Sequence, residues 1–231
     1  MNINKHLILL FSVLFFLFAV SVSSGCFRKN ESDVKSVVRN ELDQLKNLDS
    51  ETTQKYIPYT ELFPDATENT DLTDEINKTF SLFFRKFNYK ISDVIVGTAN
   101  HSATVSVKLT TIDSKVLARD FKAELLRTQI TESAQAQKGN IKDSSRSLEA
   151  HYLILNHLLN TNDYDTAETD CNIQLVNTGN DKKEKWKIQR TNSLEDDLVG
   201  GLIADLADPD ILSPEDTLTV YLDTLQKLDL K

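Results

Sequence analysis

Apolar residues recur along the chain at two periods, and the switches between them mark out the elements. Val34, Val37, Val38, Leu42, Leu45 and Leu48 fall on one stripe at the helical period of 3.6. This predicts a helix from Asp33 to Leu48, with Ser32 or Asp33 as its cap. Residues 50–70 hold Pro58, Pro64 and many hydroxyls, and read as a loop with one helical turn. Asp71 to Phe87 then crowds Ile76, Phe80, Phe83, Phe84 and Phe87 onto one side of a second helix. An aromatic stripe at that spacing is expected in a core. At Tyr89 the period drops to two. Tyr89–Val96 and Ala103–Ile112 alternate and are β-branched, with turn-rich residues 97–102 between them, which predicts a β-hairpin. Ala103, Val105, Val107 and Leu109 share the dry face, and Thr104, Ser106, Lys108 and Thr110 the wet one.

The helical period returns over Ser114–Lys138, with sparse apolar positions at Val116, Leu117, Phe121, Leu125, Leu126 and Ile130, and is broken at Gly139-Asn140. Ser147–Leu159 is a stronger helix, with Leu148, Tyr152, Leu155, Leu158 and Leu159 expected inward. Thr166–Val176 and Lys185–Arg190 predict a second hairpin around residues 177–181. Cys171, Ile173 and Leu175 share one face, and Trp186 and Ile188 another across the turn. Ser193 with Asp196 reads as a capping box opening a helix from Leu194 to Leu206, within which Gly200-Gly201 signals close backbone packing or a break. Ser213-Pro214-Glu215-Asp216 is a strong start signal for a last helix, Thr217–Leu230. Its stripe of Leu218, Tyr221, Leu222, Leu225 and Leu228 needs a cover, supplied by the rest of the chain or by a second copy. Leu42–Asp49 also resembles Leu222–Asp229 at an offset of 180, so the last helix reads either as a chance likeness or as the start of a truncated second repeat.

The order of helices and hairpins implies an α+β class, an antiparallel sheet from two hairpins packed against helices. The element order, the early helix ending Leu48-Asp49 and the closing Trp186-Lys187-Ile188 strand resemble the NTF2-like, cystatin-like cone fold over residues 33–190. The resemblance implies one domain over residues 33–212. Extra helices lie between the hairpins and at the C-terminus (213–231).

One stretch fits neither period. Lys5 and His6 are followed by nearly unbroken hydrocarbon from Leu7 to Val20, then by Ser21, Ser23, Ser24, Gly25 and Cys26. The run is short for a bilayer span, which takes roughly 20 apolar residues. A basic start, an apolar core and small residues after it are the layout of a secretory signal. Ser24-Gly25-Cys26 resembles the end of a bacterial lipoprotein signal, though Ser23 stands where Leu or Val is usual. The resemblance implies cleavage after residue 25, acylation of Cys26 (palmitate among the chains), a tether over residues 26–32, and anchorage on the extracytoplasmic face of the membrane. Two or more acyl chains hold a protein there stably. The chain as a whole is similar to the uncharacterised NTF2-like surface lipoproteins of low-GC Gram-positive bacteria.

Charge and residue counts narrow the chemistry. The chain has 26 Lys and Arg against 35 Asp and Glu, a net charge of −9, and loss of Lys5 with a signal adds to the excess. So acidic a chain is a poor fit to nucleic acid. With Cys26 acylated, Cys171 has no partner for an internal disulfide. No Gly-rich phosphate loop and no Gly-x-Ser-x-Gly elbow occurs. His151 and His157, six apart on a helix, point in different directions and read as core or solvated, while His101 sits in a hairpin turn. Asp205, Asp208 and Asp210 around Pro209 lack the spacing and closing glutamate of a calcium loop. Cys171, on an apolar strand face, reads as an inert buried residue. The dry strand faces offer no acid or base except Asp93, between Ile91 and Ile95, which would serve as a base if burial raised its pKa.

The expectation is therefore a lipid-anchored, non-catalytic domain that binds a protein, peptide, wall component or small ligand, with no metal and no cofactor. The alternatives are an isomerase or dehydratase using Asp93, and a passive adaptor in a surface complex.

Overall fold

The computed structural model describes residues 30–57, 62–64, 66, 72–97, 101–137, 145–179 and 185–229. The signal segment and Cys26 lie outside the described residues. By internal contacts the chain divides into two compact units. One comprises the described parts of Met1–Asn40, Ile91–Ser106 and Asn172–Gln189, and the other Glu41–Lys90, Val107–Cys171 and Arg190–Lys231.

A helix, α1, is in place over residues 30–46, so Ser32 and Asp33 lie inside it and do not cap it. Val34, Val38, Leu42 and Leu45 are buried as the stripe requires, whereas Leu48 is exposed. The reason lies in how α1 ends. Leu48 takes a left-handed backbone (φ 62°), its N–H donates to the Leu45 carbonyl, and the Asp49 N–H donates to the Gln44 carbonyl. That is the Schellman closure, with leucine where glycine is usual. Asp49 then accepts from the Thr52 N–H at 2.8 Å and caps α2 (Ser50–Tyr56), a helix longer than the single turn expected there.

The helix α3 (Thr73–Phe83) tightens into a 3₁₀ turn at Phe84–Lys86. Ile76, Phe80, Phe83, Phe84 and Phe87 are all buried, as a core stripe should be. Strands β1 (Asn88–Val96) and β2 (Ser102–Ile112) follow. On β2, Ala103, Val105, Val107 and Leu109 are buried, while Lys108 is exposed and Thr104, Ser106 and Thr110 are half-exposed. Next come α4 (Ser114–Ala136), capped by Asp113, and α5 (Leu148–Thr161), capped by Ser147, whose Oγ accepts from the Ala150 N–H.

β3 (Thr166–Asn177) and β4 (Trp186–Ile188) make the second hairpin, in register Leu175↔Ile188 and Asn177↔Trp186. β4 is three residues long, shorter than its alternation suggested. The sheet is antiparallel and open, in the order β1-β2-β3-β4. Each strand pairs with its sequence neighbour, although 23 residues of α4 and the whole of α5 separate β2 from β3.

In the second unit α5 packs against both α3 and α4, and α4 also carries α7 (Leu202–Ala207) and α8 (Pro214–Asp229). The single helix expected over 194–206 is two: α6 (Asn192–Leu198) and α7. Both readings of the glycine pair hold. Gly200 (φ +66°) and Gly201 (φ +89°) turn the chain, and a Cβ on Gly200 would sit 2.2 Å from Thr111 Oγ1. The cap of α6 is Thr191, two residues before the expected Ser193. Asp196 serves the next helix instead, accepting from the N–H groups of Ile203 and Ala204. Ser213 does open α8, accepting from the Asp216 N–H at 3.0 Å.

Candidate functional site

A cleft of about 530 Å³ opens in the second unit. Four stretches build it. From the proline-bearing loop come Leu62, Phe63, Pro64 and Ala66. The α4 helix brings Phe121, Lys122, Leu125 and Gln129, spaced so that one helical side faces in. Ser145, Arg146 and the first turn of α5 bring a polar rim and His151. From α7 come Ile203, Leu206 and Ala207. Leu62, Phe63, Phe121 and Leu206 are buried and form an apolar floor. Gln129 and Arg146 are exposed, and Lys122 half-exposed, at the mouth. The volume lies in the range of small-molecule sites, and the cleft joins this apolar floor to a polar side made by Lys122, Gln129, Ser145, Arg146 and His151.

His151 is a buried polar residue of the lining at 9% exposed, as is Ser145 at 3%. Its ring stacks on Phe63 with centroids 4.8 Å apart and tilts against Phe121 at 5.6 Å. Phe63 and Phe121 pack on each other at 5.1 Å, and Phe63 meets Tyr152 edge-on. His151 Nδ1 lies 2.8 Å from the Ser147 carbonyl. A carbonyl only accepts, so Nδ1 carries the hydrogen and the neutral ring presents a lone pair at Nε2. No hydrogen bond of Nε2 is found among the described residues, and the same holds for an ion pair of Lys122. Burial pushes the imidazole below its ordinary range. The Ser147 carbonyl works against that shift, and the positive charge of Lys122 adds to it. At neutral pH the cleft thus combines an uncharged histidine, a lysine and an arginine in a chain whose net charge is −9.

The residues singled out by sequence lie apart from this cleft, apart from His151. Asp93 is exposed on β1, its Oδ1 accepting from the Val94 N–H at 2.8 Å, so the burial that would make it a base is not met. Cys171 is buried and free, and burial, followed by the Asp197 carboxylate, pushes its thiol up to about 12. That fits an inert thiol, since the thiolate is the reactive form. His101 and His157 are exposed. Asp205 accepts from Ser114 Oγ at 2.7 Å and Asp208 from the Asp210 N–H, and among the described residues no group of three His, Cys, Asp or Glu side chains is placed to hold a metal. No described helix is long and apolar enough to cross a membrane.

The cleft itself was not foreseen. Phe121 and Leu125 look like ordinary core positions of a weakly amphipathic helix, and Leu62-Phe63-Pro64 reads as loop. The one available signal was an apolar pair, Leu62-Phe63, in an otherwise polar loop. No family model, no curated protein and no solved structure matches the chain.

Proposed function

We propose that the chain is a membrane-anchored lipoprotein of the extracytoplasmic face, whose folded part binds a ligand and does not convert it. The observation that carries the binding half is the cleft of the second unit: a buried aromatic floor with two cationic side chains and one uncharged histidine lining it. General acid–base work needs a donor and an acceptor matched near the working pH. None of the described lining residues is a carboxylate that could partner His151. The anchoring half rests on Ser24-Gly25-Cys26 after the apolar run, and two acyl chains on Cys26 would hold the protein to the bilayer.

We read the α+β arrangement as NTF2-like. Two antiparallel hairpins with a helical layer, and a closing strand that carries Trp186-Lys187-Ile188, support that reading. The cleft would then be an addition to the cone, since the described residues that line it lie on helices and loops and none on a strand. The adaptor reading has one observation in its favour. On α8, Leu218, Tyr221 and Leu222 stay exposed at 57%, 46% and 55%, an apolar stripe able to meet another protein.

The anchor is tested by expressing the full chain and Cys26→Ala in a Gram-positive host fed an alkyne analogue of palmitate. The native chain should take up the label, lose residues 1–25 and partition into detergent. The Cys26→Ala chain should carry no label and stay uncleaved or appear in the medium. Equal partitioning and an identical N-terminal mass for the two chains would overturn the proposal.

A further inference from the structure

We infer that the cleft takes a small amphiphilic anion, its apolar body on the Phe63–Phe121 floor and its charged head at Lys122, with His151 Nε2 facing the head and taking up a proton as the anion enters. The inference rests on the reading of the cleft as a binding site and adds the class of ligand.

The floor selects for hydrocarbon or an aromatic ring. Leu62, Phe63, Phe121 and Leu206 border the cleft with hydrocarbon and aromatic side chains that have no polar atom to offer a ligand body. The polar lining selects the sign of the head. Its charged members are Lys122 from α4 and Arg146 ahead of α5. Among the described lining residues, Leu62, Phe63, Pro64 and Ala66 and the α7 residues Ile203, Leu206 and Ala207 carry no charge, and α5 adds His151 alone. None of the described lining residues is negative, so a cationic head would be repelled by Lys122, whereas an anion would be drawn to it.

His151 refines the picture. With Nδ1 committed to the Ser147 carbonyl, Nε2 is the ring atom left for a ligand. Unprotonated, it is an acceptor and repels an anionic oxygen. Protonated, it donates to that oxygen as a charge-assisted bond. An anion at Lys122 also offsets the repulsion that Lys122 exerts on the imidazolium. Binding and protonation therefore favour each other, and the proton comes from solvent. A carboxylate, a sulfonate or a phosphate monoester shares this chemistry, and so does an anionic lipid headgroup with part of its chain.

The test uses the mature folded chain and 1-octanesulfonate, which stays ionised across the pH range, with 1-octanol and octyltrimethylammonium as neutral and cationic controls of equal chain length. Titration calorimetry at pH 6 and pH 8 reads affinity, and paired buffers of different ionisation heat read proton uptake. Octanesulfonate should bind at least about tenfold more tightly than octanol, since a hydrogen bond to a charged group accounts for roughly that factor or more. It should bind more tightly at pH 6 than at pH 8 with uptake of a proton, and the pH effect should vanish in His151→Gln. Lys122→Met should lose about tenfold in affinity while Lys122→Arg retains it, and an unchanged Tm for both would show that the fold is intact.

Equal binding of octanol or octyltrimethylammonium would overturn the anion assignment and leave a binding cleft. A pH effect that persists in His151→Gln would overturn the role of the imidazole. No binding of any of the three would overturn both the ligand class and the cleft as a binding site. Vesicles of phosphatidylglycerol, tested against phosphatidylcholine, distinguish the source. Competition with octanesulfonate by the anionic vesicles alone assigns the head to lipid, and absence of competition assigns it to a free anion.

Discussion

His151 shows how one buried side chain acquires a role from its surroundings. The sequence leaves this residue as either core or solvated, and the structure makes it a buried one. Its place on the cleft wall depends on Phe63 and Phe121, which come from a loop 88 residues before it and a helix 30 before it, and no local pattern reports such a meeting. The same burial has a thermodynamic consequence. Its folded pKa lies below the ordinary imidazole value of about 6.5. As pH falls, the unfolded chain takes up the proton first. The contribution to stability is therefore whole above pH 6.5 and is lost as pH falls through the depressed folded value. Among the described residues the charged groups lining the cleft with His151 are Lys122 and Arg146, and the positive charge of Lys122 opposes protonation there. In ligand-free protein, the fall in Tm between pH 7.5 and pH 5 should be larger for the native chain than for His151→Phe, which keeps the stack on Phe63 and has no proton to gain. Equal falls would show that His151 is protonated as readily in the fold as out of it.

At the scale of elements, α8 separates what periodicity reveals from what it leaves open. Its start was legible because Ser213-Pro214-Glu215-Asp216 is local chemistry, and the Ser213 cap is in place. Its docking was expected, and it does pack on α4. The face was misjudged. Leu218, Tyr221 and Leu222 are exposed, Leu225 and Leu228 half-buried, and the buried positions are Val220 and Thr224. The Thr224 hydroxyl is satisfied within the helix by donating to the Val220 carbonyl at 2.6 Å, which lets a threonine sit where a hydrophobe was looked for. The likeness to α1 therefore does not extend to burial. Leu42 is 2% exposed and Leu222, its counterpart, 55%. Val220→Ser should lower stability by roughly 1.5–3 kcal/mol, the worth of a fully buried aliphatic side chain, and Leu222→Ser should leave thermal unfolding unchanged. A larger loss from Leu222→Ser would mean that the outer stripe is the docked one.

Other elements divide the same way. Alternation gave both hairpins and the dry face of β2, because pleating maps sequence parity directly onto sheet faces. The glycine pair was legible as a break with close packing, whereas the helix division it produces put Asp196 to work on α7 instead of α6. Caps shift by a residue or two because several Ser, Thr and Asp in a row compete for the same N–H groups, as Thr191, Ser193 and Asp196 do.

For the whole molecule, the proposed function joins two features: the stretch ending at Cys26, which resembles a lipoprotein signal, and the cleft among helices in an acidic chain. Among the described residues the sheet contributes none to the lining, which comes from the helices between and after the hairpins and from the loop at Leu62-Phe63-Pro64. That division is what a titration followed by amide and aromatic NMR shifts addresses most directly. With 1-octanesulfonate added to the folded chain, the largest shifts should fall on Phe63, Phe121, Lys122 and His151, with the strands unmoved. Shifts concentrated on the buried face of β2 from Ala103 to Leu109, or on Leu218, Tyr221 and Leu222 of α8, with the cleft residues silent, would contradict it.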